Sequence, residues 1–370
     1  MTGKVCRWGI LGTAGIARKN WKAIRLSGNG VVAAVASRSA SSANRFIDEC
    51  SAEVPFCERP LAIDSYEALL ERADIDAVYI PLPTALRHEW VKRAAEAGKH
   101  IVGEKPAALD AGQVADMLEA CRKHKVQYMD GVMFMHSQRL PMIREVLERG
   151  EAVGELKRLA AQFSFCGNEE FRTTNIRTHS DLEPHGCLGD LGWYCIRFFL
   201  WAMRGEMPQK VHGRILSTLQ GTTSPQSVPG EFSAELVFPS GVSASFYCSF
   251  VTENQQWVHA SGSRGYLRVN DFVLPFRGAE VDAVSGQDIF DVQNCSFHME
   301  NHLHRHSVRE YDAGHSTAQE VRLFRSFSEI AVSGQLSDVW PDWTLKTQQV
   351  LDACFQSAAS DGATITLDSM

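Results

Sequence analysis

Residues 5–17 read Val5-Cys6-Arg7-Trp8-Gly9-Ile10-Leu11-Gly12-Thr13-Ala14-Gly15-Ile16-Ala17, a short apolar run that breaks into a glycine-containing turn. The run predicts a buried strand, Val5–Leu11, and the residues after it predict a helix that ends at Gly28 and Gly30. A second strand follows at Val31–Ser37, so the turn lies inside a strand–helix–strand unit. Gly12-Thr13-Ala14-Gly15-Ile16-Ala17 approximates G-x-G-x-x-A, with Ala14 where the second glycine would stand. In that setting the turn lets backbone amides approach a pyrophosphate at a helix N-terminus.

Working outward, Ala77–Ile80, His100–Gly103 and Val126–Asp130 read as further strands. Between them Thr84 is expected to cap a helix ending at Gly98, and Asp110 one running to about His124. Six strands are expected in the first 130 residues, five of them those named, and with their crossover helices they predict a doubly wound parallel sheet, an α/β dinucleotide-binding domain over 1–130. The remainder, 131–370, reads as an α+β domain with a mainly antiparallel sheet. Its strands include Lys157–Cys166, Glu231–Phe238 turning through Pro239-Ser240-Gly241 into Val242–Phe250, and Tyr266–Val269. Helices are expected over Leu188–Met203, Ala318–Val332 and Pro341–Ser357.

A chain of 370 residues suits two domains, and 44% hydrophobic with 22% charged residues is an ordinary globular composition. The net charge of −7 argues against nucleic acid or an anionic membrane as the main partner. No stretch approaches the ~20 apolar residues of a membrane span. Ten scattered cysteines without a C-x-x-C pair read as reduced thiols, which predicts a cytoplasmic location.

Strand two ends Ala36-Ser37-Arg38-Ser39, where an NAD enzyme usually carries Asp or Glu for the ribose 2′-hydroxyl. A hydroxyl followed by a guanidinium suits a 2′-phosphate, so Ser37 and Arg38 favour NADP over NAD. Glu104-Lys105-Pro106 leaves strand five at the carboxyl edge, where ligands bind in open α/β sheets. Asp190 and Tyr194 are four residues apart in an expected helix and would share a face. A tyrosine near a lysine exchanges its phenolic proton more easily, because the positive charge favours the phenolate.

Taken together, Gly12–Ala17, Glu104-Lys105-Pro106 and Gly189-Asp190-Leu191-Gly192-Trp193-Tyr194 resemble the glucose–fructose oxidoreductase / inositol dehydrogenase family. The likeness is greatest to its branch of dimeric dihydrodiol dehydrogenases, NADP-dependent xylose dehydrogenases and plant oxidoreductases. Pro81-Leu82-Pro83-Thr84 with His88, Asp130-Gly131-Val132-Met133 and Trp340-Pro341 extend it to roughly Val5–Leu367. The resemblance implies a Rossmann domain followed by a domain whose open sheet makes a homodimer or higher homo-oligomer. It implies cofactor contacts from Gly12, Thr13, Ala14, Gly15, Ile16, Pro81, Leu82, Thr84, His88, Glu104 and Lys105. It implies an active site of Lys105, Asp190 and Tyr194, with Arg177 a substrate or cofactor contact. Pro184-His185 stand where glycines are usual, which puts His185 at the mouth of the substrate pocket.

The expected reaction moves a hydride between NADP and a carbinol or carbonyl carbon of a sugar, polyol or trans-dihydrodiol. Tyr194 is then the proton carrier, Lys105 its partner at the same oxygen, and Asp190 an orienting group. A non-catalytic NADP sensor is the alternative class, and a dinucleotide-dependent glycosidase a third. The histidine run His298–His306 has spacing compatible with a metal, but the reaction needs none and none is expected. Trp340, Trp343, Phe198 and Phe199 read as core, and selectivity is left to loops such as 165–183 and 254–257.

Overall fold

The computed structural model describes residues 4–367. In chain order its first strands and helices are β1 (Cys6–Leu11), α1 (Gly15–Ser27), β2 (Gly30–Ala36), α2 (Ala40–Glu53), β3 (Leu61–Ile63), α3 (Tyr66–Leu70), β4 (Ala77–Ile80), α4 (Thr84–Glu96), β5 (His100–Gly103), α5 (Ala111–Lys123) and β6 (Tyr128–Asp130). Next come α6 (Arg139–Arg149), β7 (Leu156–Cys166), α7 (Glu169–Thr174), α8 (Trp193–Ala202), β8 (Lys210–Leu219), β9 (Val228–Val237), β10 (Ser243–Ser249), β11 (Val251–Gly262) and β12 (Tyr266–Val269). The chain finishes with β13 (Glu280–Gly286), β14 (Ile289–Gln293), β15 (Ser296–Glu300), β16 (Leu303–Arg309), α9 (Gln319–Ser333), α10 (Val339–Ala359) and β17 (Ile365–Thr366).

The chain divides into two compact units, 1–136 with 313–348, and 137–312 with 349–370. The first unit holds a six-stranded sheet in the order β3-β2-β1-β4-β5-β6, parallel throughout. That order places the β1–α1 turn at the point where the strand sequence reverses, the usual ligand crevice of such sheets. Capping accounts for several helix starts: Ser39 accepts from the Ser42 amide before α2, and Asp110 from the Gln113 amide before α5. Thr84 does not cap α4. Pro83 holds that position and Thr84 is the first helical residue.

The stretch 313–348, read from sequence as part of the second domain, packs with the first unit. Phe324 meets Trp8 edge to face at 5.2 Å, and the indole nitrogen of Trp8 donates to Ser328 Oγ at 3.1 Å. An amphipathic helix whose apolar stripe faces β1 completes this core, with Val321, Phe324 and Phe327 fully buried. Trp340 and Trp343 are half-buried rather than core, and Trp340 stacks on His136 at 4.5 Å.

The second unit is built on a nine-stranded sheet, β16-β13-β12-β11-β7-β10-β9-β8-β17. It is antiparallel except for β7 beside β10, which run parallel. The hairpin predicted across residues 239–241 is present, with Val237 opposite Ser243. Residues 254–257, expected as a loop, lie within β11, and 165–183 contains α7. Of the histidine run, 298–300 lie in β15 and 303–306 in β16, with 301–302 between the strands.

Candidate active site

Gly12 has φ +107, a conformation glycine adopts without steric cost, and its amide donates to the Ala36 carbonyl at 2.8 Å. α1 then begins at Gly15 with Ala14 in the cap position and no side chain capping it. A Cβ on Gly15 would meet nothing within 4 Å. The space beside the first turn is therefore open at the positive end of the helix dipole, which fits a diphosphate. Thr13, Ala14 and Ile16 lie half-buried around this turn.

At the end of β2 the Ser37 side chain is buried and Arg38 is exposed. Tyr66, which nothing in the sequence marked, stands beside both features. Its hydroxyl is 3.8 Å from where a Gly12 Cβ would be, and the Arg38 charge opposes the upward push that burial gives its phenol. Leu82 approaches the same glycine, at 3.1 Å from that Cβ position, and so brings 81–84 to the phosphate turn. Pro81, Leu82 and Thr84 are buried. His88 points its Nε2 to Asp116 at 2.7 Å, and Lys92 pairs with the same carboxylate.

Arg87 is the residue the sequence reading missed. It is 2% exposed and donates to the Leu82 carbonyl at 2.9 Å, to Thr84 Oγ1 and to the Pro106 carbonyl. One buried guanidinium thus ties the Pro81–Thr84 segment to the Glu104-Lys105-Pro106 turn. The Lys105–Pro106 bond is cis. Glu104 accepts from the Tyr79 hydroxyl at 2.6 Å, and burial with the Glu104 charge pushes that phenol well above its ordinary range. A Cβ on Gly131 would lie 3.1 Å from Glu104 Oε1, which explains a glycine there.

In the second unit Asp190 lies in a single π-helical turn, Leu188–Gly192, that feeds into α8. The expected uninterrupted α-helix is therefore broken at Asp190, and the simple four-residue face argument does not apply across it. The Asp190 carboxylate takes the Arg177 guanidinium at 2.8 Å. Arg177 sits in a short 3₁₀ turn, its amide held by Asn175 Oδ1 at 3.1 Å. The nearby Asp190 raises the Arg177 pKa, with smaller help from the charges of Glu183 and Tyr194. Asp190, Arg177 and Tyr194 thus form one electrostatic group. Tyr194 is buried, with Phe163 edge-on at 5.6 Å. His185 is buried against Phe355, ring centroids 5.0 Å apart.

No three of His, Cys, Asp and Glu come together as a metal-binding group among the described residues. In the histidine run His302 pairs with Glu300 at 2.9 Å, and His306 with Ser285 Oγ at 2.9 Å. No helix among the described residues is long and apolar enough to cross a membrane.

Comparison with known proteins agrees with this geometry. Residues 6–132 match the oxidoreductase family with an NAD-binding Rossmann fold, and 142–268 match the GFO/IDH/MocA C-terminal domain. The chain is 31% identical to dTDP-3,4-didehydro-2,6-dideoxy-alpha-D-glucose 3-reductase of Saccharopolyspora spinosa, over 74% of this chain and 76% of that one. It is 28% identical to D-xylose 1-dehydrogenase (NADP(+)) 2 of Haloferax volcanii, over 98% and 99%. Among solved structures, a 3-ketoreductase from Actinomadura kijaniata in complex with NADP and TDP-benzene superposes with a TM-score of 0.79 at 26% identity, over 95% and 98%. Its turn, its sheet order and both matched domains make this chain a member of the glucose–fructose oxidoreductase / inositol dehydrogenase (GFO/IDH/MocA) family of oxidoreductases.

Proposed function

We propose that this chain is an NADP-dependent dehydrogenase or reductase acting on a carbinol or carbonyl carbon of a sugar, polyol or diol. The observation that carries the cofactor choice is Arg38, exposed at the end of β2 beside an open, uncapped helix N-terminus. A 2′-phosphate there gains a charged, forked donor, whereas a bare 2′-hydroxyl has no carboxylate to meet it. The NADP dependence of the xylose dehydrogenase and the NADP bound to the ketoreductase support the same choice. So do their sugar-type substrates for the substrate class.

When bound, the nicotinamide supplies or accepts the hydride. Tyr194 takes the hydroxyl proton in oxidation and returns it in reduction. Lys105 donates a hydrogen bond to the same oxygen and favours the tyrosinate, help of a kind typically worth ~10²–10⁴-fold. Arg177 contacts substrate, and Asp190 is a positioning residue that holds it. Arg87 keeps the Pro81–Thr84 and Lys105 turns in register for the cofactor. We further propose a homodimer through the open sheet of the second unit. The ten free thiols support a reducing, cytoplasmic setting.

The test is consumption or formation of reduced nicotinamide with D-xylose, D-glucose, a trans-dihydrodiol and a nucleotide-linked keto-sugar, each with NADP and NAD. Turnover with NADP that Lys105→Met abolishes, while NADPH binding persists, is the expected result. Tight NADPH binding with no turnover on any member of the panel would instead favour a non-catalytic sensor.

A further inference from the structure

The chain between β13 and β16 leaves the nine-stranded sheet. β13 and β16 pair as far as Gly286 opposite Leu303, the Gln287 amide donates to the His302 carbonyl at 3.0 Å, and β14 and β15 continue as a separate two-stranded ribbon. Phe290 faces Met299 across the ribbon and Val292 faces Phe297, so all four share one face. They are 59%, 66%, 48% and 72% exposed. The other face carries Ile289 with the polar Asp291, Gln293, Ser296, His298 and Glu300. A fully apolar face on a protruding hairpin is a strong liability unless something covers it.

We propose that a second copy of this chain covers it, each arm lying in a groove on the other copy's open sheet. This rests on the homodimer reading above and names the contact that makes it. The groove, of about 610 Å³, is in the same unit and has Trp257 and Ala160 among its lining residues. It also presents Arg158, His212 and Arg214 against the single carboxylate Glu235. From 287 to 304 the chain has Asp288, Asp291 and Glu300 but no lysine or arginine, so arm and groove are of complementary charge.

Area favours a second copy over a foreign partner. Four side chains this exposed present roughly 450 Å² of apolar surface. A one-way dock of the arm would bury only about half of the ~800 Å² that each side of a stable interface contributes. In a two-fold pair every copy gives one arm and receives one, which doubles its share and reaches that size.

The experiment measures the mass and the dissociation constant of the full chain by sedimentation, alone and as Phe290→Asp/Phe297→Asp. These side chains are exposed, so circular dichroism of the variant should match the parent. A dimer weakened by at least about 100-fold in the variant is expected. In parallel, Ser245→Cys places a thiol at the groove for a short bismaleimide to join to native Cys295 at the arm's tip. A covalent dimer that Cys295→Ser abolishes is expected. If the parent is a dimer that the double variant leaves intact and no cross-link forms, the arm contact is overturned and the homodimer reading stands. A monomeric parent at micromolar concentration overturns both.

Discussion

The guanidinium of Arg87 donates to the carbonyl of Pro106, the residue directly after Lys105, from the interior of a helix that starts at the cofactor-side segment. Removing it leaves two carbonyls and a hydroxyl without this donor in a buried space. Arg87→Ala is expected to cost about 3 kcal/mol in urea denaturation, from unsatisfied carbonyls and the cavity together. Arg87→Lys should recover little, because one ammonium cannot span three acceptors set in a fork. In the fraction that remains folded, kcat should fall more than NADP affinity, since the Lys105 turn moves. Full activity in Arg87→Ala would leave this residue a purely local brace.

Asp190 and Arg177 should behave as one unit. Asp190→Asn and Arg177→Ala are each expected to lower kcat/KM by about 100-fold, with the double variant scarcely worse than either. A double-mutant cycle on purified enzyme reads this directly. Additive losses would mean that the two side chains act on substrate separately.

Cofactor preference should reside in Arg38. Arg38→Ala is expected to raise KM for NADP by about 100-fold and to leave KM for NAD within about twofold, the loss of one charge-assisted contact set. Equal losses with both cofactors would place Arg38 outside the 2′-phosphate site.

His100 gives the first unit a pH dependence. Its Nδ1 accepts from the Gln127 amide at 3.0 Å, and burial holds its pKa below the ordinary histidine value. The unfolded chain takes up a proton near pH 6.5 while the folded chain resists it. Stability is therefore full above that range and falls as pH drops through it. Thermal midpoints taken between about pH 7.5 and 5.5 should decline in the parent and decline less in His100→Asn. Parallel declines would clear His100 of the effect.

The parts of this fold that were legible in sequence are those where local chemistry and tertiary structure agree. The β1–α1 turn announces itself through Gly12, Gly15 and the apolar run before them, and the Asp110 cap through its own side chain. Thr84 misled because its hydroxyl, a good capping group in isolation, is taken by Arg87. Arg87 itself was invisible, since a buried arginine held by two carbonyls and a hydroxyl leaves no acidic partner to find in the sequence. The π turn at Asp190 was equally hidden: apolar periodicity reads 3.6 residues per turn and cannot register one added residue. Strands β14 and β15 are exposed on both faces, so their alternation points to no core that the sequence could announce.

The bond between Trp8 and Ser328 joins positions 320 residues apart. A ribosome adding 5–20 residues per second needs roughly 15–60 s to travel that distance. For that whole interval the first strand has emerged without the helix that shields it, so the nucleotide-binding half, although begun first, is finished late. Nascent chains of this enzyme are thus candidates for chaperone holding at β1, released only when α9 arrives.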